Sequence, residues 1–341
     1  MSMSGSTARR GLVRVLVMLG LAVVSLAAHA QSPSIATRQD VSLRLDWIPT
    51  WYHSVFYLAL NRGYYSDAGL NLTIGQGKGS TATAQVVGSG SETFGLMDMS
   101  TMMLAISNGA PLVALGGLIQ RSPEAVISLS SANIKAPKDL EGKRWGFTAG
   151  SSGETIFKLF AAKTGVDESK LGRITVDAGA KLTFLLSDRV DFITDWAVSV
   201  NPLITAQGKT PANLVYADFG VHFNASSLAT TKSMLAGKPE VVRGFLAATV
   251  KGIEEAMKDP PAAIDALIAN QSAVAGNRDL MIGQMKQLAN FLHSDGSKGK
   301  PTFWLAPEDV ASTLEVAKRL RSTAETLKVS DLFTNEFLPK Q

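Results

Sequence analysis

The chain contains no cysteine, and that absence removes several chemistries together. There can be no disulfide framework, thiol nucleophile, cysteine-ligated zinc or iron–sulfur centre, or lipid attachment of the bacterial lipoprotein kind. Histidine is scarce as well: beyond His29, only His53, His222 and His293 remain, too scattered for a His-x-x-x-His zinc helix. No metal is expected. An excess of one charge is also missing once the first thirty residues are set aside. They carry Arg9, Arg10 and Arg14 with no acid, so removing them takes the formal charge from +4 to +1. A nearly neutral remainder argues against nucleic acid as a partner.

The usual catalytic signatures fail in detail. Gly75-Gln76-Gly77-Lys78-Gly79-Ser80 follows a strand pattern and precedes a helix pattern, but Gly79 stands where a phosphate loop needs Ser or Thr after its lysine. The dinucleotide spacing of glycines is not met either, and the run reads as a tight strand-to-helix turn. Gly150-Ser151-Ser152-Gly153 is one residue short of a nucleophile elbow. Neither a cofactor nor catalysis is expected.

What the sequence does have begins with a leader. Residues 1–30 open polar and basic, run apolar from Val15 to Ala27, and end in the small-x-small pattern Ala28-His29-Ala30. An apolar run of thirteen residues is shorter than the roughly 20 a spanning helix needs, so a cleaved signal peptide and a soluble periplasmic protein are expected. Arg9-Arg10 leaves a twin-arginine route open. The composition, 45% hydrophobic, suffices for an ordinary core.

From Val41 the chain alternates strand-like and helix-like segments. Strands are expected at 42–46, 70–74, 93–96 and 112–118, with helices at 52–62, 80–87 and 100–107, the last capped by Ser100. A second block places strands at 125–129, 144–147, 173–176, 190–194 and 214–217, with helices 154–164, 180–187 and 200–207 between them. After a strand at 224–231 the chain reads as amphipathic helix from Pro239 to about Leu327. The pattern predicts an α/β protein of two lobes, mostly parallel sheets flanked by helices, joined by a two-crossover hinge. Lobe I takes 39–122 plus 224–341, and lobe II takes 123–223. Ligands of open α/β sheets lie outside the carboxyl ends of the strands, so residues just past each strand are the ones to weigh.

Asp46-Trp47-Ile48-Pro49-Thr50-Trp51-Tyr52-His53, with Phe56 and Tyr57 a turn later, concentrates aromatic rings in a chain that is only 7% aromatic. Trp51 and Phe56 suit a hydrophobic core. Asp46, Trp47 and His53 suit a planar polar ligand that needs a carboxylate and a stacking ring. Asp195-Trp196 repeats the pair after a strand of the second block. Ser151, Ser152, Gly153, Glu154 and Thr155 open a helix whose N–H groups can face a ligand, with Glu154 equally suited to answering the helix dipole. Asp98 and Ser100 are weaker candidates, and Lys78 and Arg121 are the cations expected near the cleft.

These residues carry a resemblance. Leu45-Asp46-Trp47-Ile48-Pro49-Thr50-x-x-His53, then Tyr57 and Gly63-Tyr64-Tyr65-x-x-Ala68-Gly69-Leu70, is similar to the opening of the NMT1/THI5-like solute-binding proteins. The likeness continues through Phe94-Gly95-Leu96, Gly109-Ala110-Pro111-Leu112, Gln120-Arg121-Ser122-Pro123, Lys138-Asp139-Leu140-Glu141-Gly142-Lys143, Arg189-Val190-Asp191, and Lys238 to Leu246. It implies a type II periplasmic binding protein, the monomeric substrate-binding component of an ABC importer, with a small-molecule ligand and a membrane permease as partners. The opening resembles the thiamine-pyrimidine-precursor branch most, with Thr50 where that branch commonly has Asn. On this resemblance Asp46, Trp47, Pro49, Thr50, His53, Tyr57, Asp98, Ser100, Ser151, Ser152, Gly153, Glu154, Asp195 and Trp196 are the expected ligand-binding residues. A sulfonate, taurine or nitrate binder is the alternative within the family, and a pyrimidine-metabolism enzyme the alternative outside it. The cysteine-rich segment of the eukaryotic pyrimidine synthase has no counterpart here.

Overall fold

The computed structural model describes residues 38–340, so the expected signal peptide at 1–30 lies outside the described residues, as does the side chain of Ser152. From Gln39 the chain builds two five-stranded sheets. The first contains β1 (Gln39–Arg44), β2 (Leu70–Gly75), β3 (Phe94–Met97), β4 (Leu112–Ile119) and the late strand β10 (Ser226–Thr231), in the order β2-β1-β3-β10-β4. The second contains β5 (Glu124–Leu129), β6 (Arg144–Phe147), β7 (Gly172–Thr175), β8 (Phe192–Trp196) and β9 (Pro211–Val215), in the order β7-β6-β8-β5-β9. In each sheet four strands share one direction and the fifth runs against both neighbours: β10 between β3 and β4, and β5 between β8 and β9. Both opposed strands come directly after the chain has passed from one sheet to the other, through 120–123 and back through 220–225. The α/β architecture predicted by the alternation is the one the chain adopts.

The helices that bear on the site are α1 (Ser54–Asn61), α2 (Ser80–Gly88), α3 (Met99–Ser107), α4 (Ser152–Thr164), α5 (Lys181–Leu186), α6 (Ala197–Ala206), α7 (Pro239–Lys258) and α8 (Arg278–Met285). Strand β4, Leu-Val-Ala-Leu-Gly-Gly-Leu-Ile, is buried at every position, as an unbroken apolar run should be when both faces of a sheet are covered. Gly116 within it is demanded by packing, because a Cβ there would come within 2.3 Å of Phe303. Phe94 of β3 stacks on Phe245 of α7 with ring centroids 3.9 Å apart, and α7 packs along α1. Burial of each such ring contributes about 1.5–3 kcal/mol.

Two local expectations change. The helix predicted from Tyr52 begins as a 3-10 turn over Trp51–His53 before α1. Helix α3 is capped by Asp98 rather than by Ser100: the Asp98 carboxylate accepts from the Thr101 N–H at 2.8 Å, and Ser100 donates its hydroxyl to the same carboxylate at 2.5 Å. Among the described residues no helix is long and apolar enough to cross a membrane.

Candidate functional site

A cavity of about 330 Å³ lies between the two sheets, lined by residues that follow the strand ends of both. Its first wall is the loop after β1. That loop is held down by the glycine-rich run after β2: Gly77 and Gly79 donate their N–H groups to the carbonyls of Trp47 and Asp46, both at 2.9 Å. A Cβ on Gly77 would lie 2.1 Å from the Leu45 carbonyl oxygen, so only glycine allows this approach.

Asp46 is the polar centre of that wall. His53 donates from Nε2 to Asp46 Oδ1 at 2.7 Å, and the Tyr52 hydroxyl donates to the same oxygen at 3.1 Å. His53 Nδ1 accepts the Thr50 N–H at 3.0 Å, which fixes the tautomer with its proton on Nε2. Burial, reinforced by Asp46, holds the Tyr52 phenol well above its ordinary range, so it remains a donor. Tyr52 also packs on Trp196 of the opposite wall, centroids 4.7 Å apart.

The second wall belongs to β8 and the start of β5. Lys181 of α5 is buried there, donating from Nζ to Asp195 Oδ2 at 2.6 Å and to the Thr194 carbonyl at 2.8 Å. The same ammonium lies 5.1 Å from the centre of the Trp47 ring. Glu124 opposes Trp196 in the β5–β8 register and is only 2% exposed. Burial first, and then the charge of Asp195, push its carboxyl up to about 8. The two walls are bridged outside the polar centre. Trp51 Nε1 donates to Ser199 Oγ at 2.8 Å, Gln284 of α8 donates to the Ser199 carbonyl at 2.8 Å, and the Thr81 N–H reaches the Gly150 carbonyl at 3.4 Å.

Of the residues singled out in the sequence, Asp46, Trp47, Pro49, Thr50, Ser151, Gly153, Asp195 and Trp196 line the cavity. His53, Tyr57, Asp98, Ser100 and Glu154 lie behind it. His53 supports Asp46 from beneath, fully buried. Tyr57 sits in the core, where Gln271 donates to its hydroxyl and burial pushes the phenol up to about 12. Asp98 and Ser100 are occupied with the cap of α3. Glu154 turns back to accept the Gly150 N–H and to pair with Arg173, both at 2.8 Å. The sequence reading missed Tyr52, Glu124, Lys181, Ser199 and Gln284, all of which line the cavity. The cation at the cavity is Lys181, not Lys78 or Arg121.

The family profile described as "NMT1/THI5 like" matches residues 50–263. The chain belongs to the NMT1/THI5-like family. Two relatives carry different names. The formylaminopyrimidine-binding protein of Halalkalibacterium halodurans is 25% identical over 236 residues, 68% of this chain and 71% of that one. A 4-amino-5-hydroxymethyl-2-methylpyrimidine phosphate synthase of Legionella pneumophila is 28% identical over 237 residues, 67% of this chain and 73% of that one. Among solved structures, the alkanesulfonate-binding protein SsuA from Xanthomonas axonopodis pv. citri, bound to MOPS, superposes with a TM-score of 0.66 at 15% identity, over 85% of this chain and 95% of that one. The NMT1/THI5-like chain therefore has the two-lobe fold of periplasmic binding proteins.

Proposed function

We propose that this protein is the substrate-binding component of an ABC importer and captures a small amino-heterocycle, of the kind of a thiamine pyrimidine precursor, by closing two lobes about the hinge at 120–123 and 220–225. The observation that carries the reading is the cavity itself. Three carboxyl groups, Asp46, Glu124 and Asp195, and three aromatic rings, Trp47, Tyr52 and Trp196, meet there around one ammonium, Lys181. Carboxyl groups hydrogen-bond amino groups, while rings stack on a planar heterocycle. About 330 Å³ is at the small end of ligand cavities, which suits a single substituted ring. The name of the Halalkalibacterium halodurans relative supports the same class.

One observation favours a second reading. Lys181, together with Ser80 at the start of α2 and Ser151 and Gly153 at the start of α4, would suit a sulfonate or nitrate. A thermal-shift panel separates the two. Ligand at 100 times its Kd stabilises the native state by about 2.7 kcal/mol, worth several degrees. Aminopyrimidines should raise the melting temperature, and taurine, alkanesulfonates and nitrate should not; the reverse pattern overturns the assignment. Mass spectrometry of the pyrimidine after incubation tests the enzymatic alternative raised by the Legionella pneumophila relative, since a binder returns its ligand unchanged.

A further inference from the structure

We propose that Glu124 is the specificity-determining residue of the cavity, its carboxyl forming two parallel hydrogen bonds with an N=C–NH2 edge of the ligand. The proposal rests on the amino-heterocycle reading and goes beyond it by naming the edge that is read and the group that reads it.

Two of the three cavity carboxyls already have partners. Asp46 is engaged by His53 and Tyr52. Asp195 is engaged by Lys181 through Oδ2 and by the Trp196 N–H through Oδ1. Glu124 lines the same cavity, yet among the described residues it takes part in no ion pair; the Trp196 indole is its neighbouring donor. Space has been left for it. A Cβ on Gly153 would lie 2.8 Å from Glu124 Oε1 and 2.9 Å from Thr194 Oγ1, so any side chain at this helix start would have to displace the Glu124 carboxyl or the Thr194 hydroxyl.

Protonation follows from burial first and then from the count of charges. The groups facing Glu124 are Asp195 on β8, Lys181 on α5, Asp98 at the start of α3, Tyr216 after β9 and Tyr52 after β1. One buried ammonium cannot neutralise both Glu124 and Asp195, and its closest contact is with Asp195. Glu124 is thus held as the neutral acid at neutral pH, in keeping with its upward shift to about 8. A neutral carboxyl has one donor and one acceptor side by side. An amino-heterocycle offers the complement, a ring nitrogen that accepts and an exocyclic amino group that donates. The ionised carboxylate loses its donor and turns a lone pair toward the ring nitrogen.

The test is calorimetric titration with 4-amino-5-hydroxymethyl-2-methylpyrimidine, and with the analogue lacking the amino group, from pH 7 to 9.5. Wild-type affinity should hold near pH 7 and fall toward about tenfold per pH unit above about pH 8. Glu124→Gln keeps a donor and an acceptor, so it should bind within a few-fold of wild type with a flat profile, which also cancels any titration of the probe. Glu124→Leu should lose about tenfold or more and should no longer distinguish the two probes. A flat wild-type profile, or a folded Glu124→Leu protein that binds within twofold of wild type, overturns the role of Glu124 while leaving the amino-heterocycle reading intact. Silence of the wild type toward the amino probe overturns both.

Discussion

Trp47 and Glu124 show how differently two residues of one cavity can be written into a sequence. Trp47 directly follows the carboxylate at the end of the first strand, within a run of rings, and its half-buried position over the cavity was legible from that placement alone. Stacking on a planar ligand involves roughly 1.5–3 kcal/mol of burial and about 0.5–1.5 more from ring geometry. Trp47→Ala should therefore weaken binding by roughly a hundredfold, and Trp47→Phe should recover much of that, as titration calorimetry on folded variants can check. Affinity within twofold in Trp47→Ala would mean that the indole only covers Lys181. Glu124 carries a different consequence, for stability. Its carboxyl is raised from an ordinary 4.5 to about 8, so the protonated form favours the folded state. That contribution is fully present below pH 4.5 and is lost as the pH rises through about 8. The ligand-free wild type should lose stability relative to Glu124→Gln across this window, at up to about 1.4 kcal/mol per pH unit, with no further divergence above it. Parallel denaturant melts of the two proteins from pH 4 to 9 measure the difference, and parallel curves would refute it.

At the scale of elements, direction decided what could be foreseen. Positions past the carboxyl ends of strands lead to Asp46 after β1, Ser151 after β6 and Asp195 on β8. They do not lead to Glu124, because β5 runs against its neighbours and brings its amino end to the cavity. Nothing in the local pattern announces that reversal; it follows from where the chain re-enters the second sheet. Lys181 was hidden for another reason. Its helix is six residues long, and the sequence gives no sign of which lysine will be buried against Asp195. The alternation of segments, by contrast, was legible almost throughout, because its apolar periods are long and the turns between them are marked by glycine and proline. Gly153 supplies an element-scale prediction. Alanine is worth about 1 kcal/mol over glycine inside a helix, so an ordinary Gly→Ala change here would raise the melting temperature. With Glu124 Oε1 only 2.8 Å from the new Cβ, Gly153→Ala should instead give no gain in melting temperature and a several-fold weaker affinity for the aminopyrimidine. A stabilised variant of unchanged affinity would show that the glycine is incidental.

For the whole molecule, the bridges between the two walls bear on the proposed closure. The Trp51 indole and Gln284 both bond Ser199, so the contact exists only where the two sheets approach. Ser199→Ala removes a bond worth about 0.5–1.5 kcal/mol from the arrangement in which the two walls meet. The open population should rise, giving a larger radius of gyration by small-angle scattering without ligand and an affinity weaker by up to about tenfold. An unchanged radius and affinity would mean that closure does not depend on this contact.

The place of β10 governs the order in which the molecule can be assembled. Strands β5 to β9 come from one uninterrupted stretch, 124–215, so every neighbour in their sheet is at hand as soon as that stretch exists. The other sheet has a gap beside its edge strand β4: β3 and β4 do not pair with each other, and the strand that joins them arrives only at 226–231, after the whole second sheet in sequence. Until then β3 and β4 each present an open edge of unpaired backbone groups, the kind that recruits foreign strands. The half of the protein that is first in sequence is thus the last to be completed, and its completion waits on loop closure across more than a hundred residues, a topology that folds slowly.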